Sequence, residues 1–143
     1  MTGIVLEDLG VSQLSYFAIR SMNAAISNGK VSDGTIFYRQ YAPFFTPAYF
    51  GVVGIDMLSY FTGDLITTDL DGTAMALMYG IKPTFYVNDL EWIRGRYDFL
   101  TNVKLYREAA RLFCRSPSHQ TAIKNYCGRM AELLPIFNIE KMI

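Results

Sequence analysis

Five short polar clusters hold the side chains that could do chemistry. They are Glu7, Asp8, Gly10 and Ser12; Arg39 and Gln40; Thr67, Thr68 and Asp69; Asn88, Asp89, Glu91, Trp92 and Arg94; and Arg115, Ser116, Ser118 and His119. His119, the only histidine, reads first as a surface or capping residue; it would be a general base only if the fold brings Asp69, Asp89 or Glu91 close to it. Asp69 and Asp71 form a D-x-D pair of the kind that can hold a divalent cation, but no wider ligand set follows them. Ser12 and the backbone of residues 10–13 could cradle an anion at a helix start, or Ser12 could simply cap that helix, which is the simpler reading. Trp92, the only tryptophan, either faces a ligand or anchors the core. Cys114 and Cys127 have no neighbour that marks a nucleophile; two cysteines are too few for a disulfide framework or structural zinc and read as buried free thiols.

Each cluster follows an apolar run. Residues 3–6, 35–38, 50–55, 64–67, 83–87, 111–114 and 130–134 are short and rich in β-branched, aromatic and aliphatic residues, as buried parallel strands are. Between them, residues 12–28, 73–78, 97–109 and 116–126 carry apolar positions at helical spacing, with Ser12 and Ser116-Pro117 as start signals and Gly29, Gly80 and Gly128 as stops. Residues 56–60 and 138–143 read as short helical pieces. Residues 40–49 hold Pro43 and Pro47 among four aromatics and read as an apolar loop, either functional or folded back over the sheet edge.

Strands alternating with helices predict an α/β fold: one Rossmann-like, doubly wound domain over residues 1–143, with a mostly parallel sheet and helices on both faces. Ligands of such sheets bind beyond the carboxyl ends of the strands, which is where the polar clusters fall. The candidate ligand contacts are therefore Asp8, Gly10, Ser12, Asp69, Asp89, Trp92, Arg115, Ser116 and His119.

Composition narrows the function classes. The chain is 51% hydrophobic and 18% charged, without a run of about 18 uncharged apolar residues, so no membrane span is expected. The start lacks a basic stretch followed by an apolar one, and a cytoplasmic protein is expected. Residues 1–71 carry three basic and seven acidic side chains and residues 72–143 carry ten and six, so −4 faces +4. That imbalance could orient a partner or an anionic ligand but is too mild for a dedicated nucleic-acid binder. Gly10 stands alone where G-x-G-x-x-G needs three glycines, and no G-x-x-x-x-G-K-[ST] occurs, which argues against NAD and ATP; no cofactor is expected.

The last third has a recognisable order: Ala110 through Arg115, Ser116-Pro117 opening a helix, Gly128, residues 130–135 ending in Pro135, then Phe137-Asn138-Ile139. With residues 85–94 (FYVNDLEWIR), it resembles the N-terminal Rossmann-like domain of GT-B glycosyltransferases, notably glycosyltransferase-like proteins of tailed phages. The resemblance implies an acceptor-side half without the donor-binding domain, expected in the host cytoplasm if phage-encoded. Such a half would bind a sugar or nucleotide-sugar as an accessory module, or act as a transferase only with a second subunit. The alternative is a non-enzymatic interaction protein, using residues 41–50 and Trp92 in a homo- or hetero-oligomer.

Overall fold

A computed structural model describes residues 1–44 and 46–143; Phe45, within the apolar loop, lies outside the described residues. Seven strands form one sheet in the order β3-β2-β1-β4-β5-β6-β7. They are β1 (Thr2–Leu9), β2 (Gly34–Tyr41), β3 (Gly51–Gly54), β4 (Asp64–Thr67), β5 (Thr84–Val87), β6 (Arg111–Cys114) and β7 (Glu132–Leu133). The sheet is parallel and flanked by helices, the α/β Rossmann-like class that the alternation of elements predicts. The helices are α1 (Gln13–Ser27), α2 (Leu70–Met78), α3 (Phe99–Glu108) and α4 (Pro117–Cys127). Short 3-10 turns cover Ile55–Tyr60, Glu91–Arg94 and Ile139–Lys141. Among the described residues no helix is long and apolar enough to cross a membrane.

The chain condenses into two compact units, residues 1–66 with 137–143, and residues 67–136. In the first, β1 is buried along nearly its whole length and pairs with β2 in the register Ile4↔Ile36 and Val5↔Phe37. The strand runs three residues past the predicted end, because Asp8 and Leu9 still pair with Gln40 and Tyr41. The Ser12 hydroxyl accepts the Ser15 N–H, capping α1, which buries Ala18, Ile19, Met22 and Ala25. The C-terminal turn docks on α1, where the Ile139 N–H donates to the Ser21 hydroxyl at 2.7 Å.

In the second unit, Phe85 and Tyr106 stack at 5.3 Å in a core completed by Val87, Leu105, Leu112, Ile123 and Ala131. Helix α2 begins three residues before its predicted start. The Asp69 carboxylate accepts the Gly72 N–H at 2.7 Å, so the cap is Asp69 and the Asp71-Gly72 pair becomes helix rather than loop. Strand β7 keeps only two of its five predicted residues. Arg129 explains how the preceding turn is fixed: its guanidinium donates to the carbonyls of Tyr106, Arg107, Ala109 and Ala110 at 2.6–3.1 Å. A fixed cation thus sits on the negative, unsatisfied end of α3.

Candidate functional site

The strand-end residues of the first unit are turned onto their own backbone. Asp8 Oδ1 accepts the N–H groups of Val11 and Ser12 at 3.1 and 2.8 Å, and the Gly10 N–H donates to the Ser15 hydroxyl. Gly10 has φ +96°, and a Cβ there would lie 2.6 and 2.7 Å from the carbonyl oxygens of Ala42 and Pro43. The loop after β2 therefore lies directly over Gly10, anchored by the Ala42 N–H donating to the Leu9 carbonyl at 2.8 Å. The start of α1 is capped by Ser12 and flanked by Asp8, which takes the Val11 and Ser12 N–H groups.

In the second unit three carboxylates gather at the start of α2, and each has a separate task. Asp69 is buried and caps the helix, while the Thr73 hydroxyl, itself bonded to the Thr67 hydroxyl, donates to the Asp69 carbonyl. Asp71 accepts from the Arg96 guanidinium and the Tyr97 hydroxyl. Glu91, 21 residues further on, reaches back so that Oε2 accepts the Leu70 N–H at 2.8 Å. Burial pushes its carboxyl up to about 7; the Leu70 N–H partly offsets this, and Asp69 and Asp71 add to it. Burial, and then Asp71, push the Tyr97 phenol up to about 12. Asp69 and Asp71 thus diverge, and among the described residues no group of three His, Cys, Asp or Glu side chains could hold a metal ion.

Asp89 pairs with Arg94 at 2.5 Å, and Arg115 donates to the Asn88 carbonyl at 3.1 Å. Ser116 caps α4 by accepting the His119 N–H, and its hydroxyl lies 3.0 Å from that of Ser118. His119 Nδ1 is buried without a hydrogen-bond partner, so no carboxylate pairs with that nitrogen as the general-base alternative would need. The Cys114 thiol lies 3.6 Å from the Ser116 carbonyl and is pushed up by burial, away from nucleophilic use.

Trp92 lies flat on Tyr126, with centroids 4.1 Å apart and planes 4° apart, and meets Tyr106 edge-on at 5.4 Å. Phe99 meets the same Tyr126 ring at 5.2 Å. Phe99 is 59% exposed, and Ile93, next to Trp92 in the chain, and Leu100, next to Phe99, are 72 and 77% exposed. Sequence reasoning missed this surface and missed Glu91 as a cap for a remote helix. The 3.6-residue count could have placed Phe99 and Leu100 at the exposed start of α3, but nothing local marks Tyr126 as the ring that Phe99 meets. No family model, curated protein or solved structure matches the chain.

Proposed function

We infer that this protein is a non-catalytic binding module on a scaffold like the acceptor-side domain of a glycosyltransferase, and that it contacts a second copy of itself. The observation that carries the reading is the exposure of Ile93, Phe99 and Leu100, chain neighbours of the Trp92–Tyr126 stack, on which Phe99 packs. In the same 89–100 stretch the Asp89–Arg94 and Asp71–Arg96 pairs bring charges of both signs. Exposed apolar residues among charged ones are the anatomy of a protein interface, and charges of both signs complement a copy of the chain through a two-fold axis. The strand-end groups of α1, α2 and α4 are already spent on internal caps, which supports binding over sugar transfer.

Sedimentation velocity over a concentration series, beside a thermal-shift panel of UDP-glucose and free hexoses, tests this. The expected result is reversible association that Leu100→Glu abolishes, with no melting shift from the sugars. A monomer stabilised by UDP-glucose, as linkage requires of a ligand that binds the folded form, would instead support a transferase half.

A further inference from the structure

The 3-10 turn Glu91–Arg94 is tied to a helix start that lies 21 residues earlier in the chain. Leu70, the first residue of α2, donates its N–H to Glu91 Oε2 at 2.8 Å. Within the turn, the Ile93 N–H donates to the Leu90 carbonyl at 3.2 Å and the Gly95 N–H to the Trp92 carbonyl at 3.0 Å. A 3-10 turn of four residues has few bonds of its own and poor geometry for them. The remote tie and the packing of Trp92 on Tyr126 and Tyr106 therefore hold it in place.

The tie is made by an acid among other acids. Asp69 and Asp71 flank Leu70, and both favour a proton on Glu91. The nearby guanidiniums are engaged elsewhere, Arg94 with Asp89 and Arg96 with Asp71, and Arg94 is the weakest of the influences on Glu91. The Tyr97 hydroxyl is given to Asp71. From α3 the Tyr106 hydroxyl lies within the field of Glu91, yet it is buried and makes no hydrogen bond, so it offers an ionised carboxylate no donor. Burial is the largest influence, and the Leu70 N–H offsets it only in part.

We propose that Glu91 is a pH-sensitive latch: with a proton bound it keeps the Trp92 turn on the start of α2, and once ionised it leaves for water and frees the turn to open. In the closed turn an ionised Glu91 gives up hydration beside two like charges; in the open turn it regains that hydration. A carboxyl at about 7 when closed and 4.5 when free makes opening rarest in acid. Opening then becomes more frequent as the pH rises from 4.5 to 7, and levels off above that. The open turn uncovers the face of Tyr126 on which Trp92 lies.

Amide hydrogen exchange of the wild type and Glu91→Gln, followed by NMR between pH 5 and pH 8 with intrinsic rates divided out, tests the latch. In the wild type, protection of Leu70, Ile93 and Gly95 should fall by roughly 50- to 100-fold over that range and level off above pH 7, as those two carboxyl values require. The same amides should stay less protected than those of β6 throughout, because the turn opens without the core. Glutamine keeps an acceptor for Leu70 and cannot ionise, so protection in the variant should stay flat at the acid value of the wild type. Every other titrating group is common to both proteins and cancels. Leu70 is not among the residues proposed to pair two copies, so its exchange reports the latch whether or not copies associate. Wild-type protection that does not vary with pH, a glutamine variant that parallels the wild type, or exchange of these amides only together with β6 overturns the assignment.

Discussion

Glu91→Gln is the substitution whose effect can be worked out most fully. Glu91 is half-buried, accepts the Leu70 N–H at the start of α2, and faces the carboxylates of Asp69 and Asp71, with Arg94 as the compensating cation. Its carboxyl is raised from 4.5 to about 7, with burial as the largest cause. A group whose acidity is weakened by folding stabilises the fold fully below its unfolded value and loses that contribution as pH rises through its folded value. At 1.36 kcal/mol per pH unit, the native state forfeits on the order of 3 kcal/mol between pH 4.5 and pH 8. Glutamine keeps a carbonyl oxygen for the Leu70 N–H and cannot ionise. The variant should therefore match the wild type near pH 5 and exceed it by about 2–3 kcal/mol at pH 8.5. Urea unfolding of both proteins at half-unit steps from pH 4.5 to 8.5 gives the difference directly, since titrations common to both cancel. Parallel stability curves refute the reasoning. So does a glutamine variant that is weaker at high pH, which would mean that the ionised carboxylate gains more from the helix start than burial costs it.

Other substitutions separate structural from functional roles. Arg129→Ala removes the donor to four carbonyls at the end of α3 and should cost about 2 kcal/mol in urea unfolding, with lysine recovering only part because it lacks the planar fork. Trp92→Ala should cost about 3 kcal/mol or more, since the ring fills space against Tyr126 and Tyr106; an unchanged midpoint would free Trp92 for a ligand-facing role. Gly10→Ala should lower the melting temperature by several degrees, combining a positive φ with a clash against the Ala42 carbonyl; a neutral result would mean the loop over Gly10 moves freely.

The architecture was legible because short apolar runs and amphipathic stretches obey different periods. Strands β4 and β6 fall at their predicted bounds, and Ser12, Ser116-Pro117 and Gly128 mark real helix ends. Two boundaries moved: pairing with the distant Gln40 and Tyr41 lengthens β1, and the local Asp69 cap pulls the α2 start forward. The candidate site was less legible, for local and for remote reasons. Asp8, Asp69 and Ser116 bear the right groups, but their lone pairs go to N–H groups three or four residues along the chain, which the sequence allows without requiring. Glu91 finds Leu70 across 21 residues, and Tyr126 brings Trp92 and Phe99 together; no local pattern encodes either meeting.

The central claim, that the Ile93, Phe99 and Leu100 surface pairs two copies of the chain, is tested most directly by sedimentation velocity of the wild type and Leu100→Glu side by side. The account predicts a sedimentation coefficient that rises with concentration for the wild type and stays at the monomer value for the variant. A wild type that remains monomeric throughout, or a variant that associates equally, would contradict it.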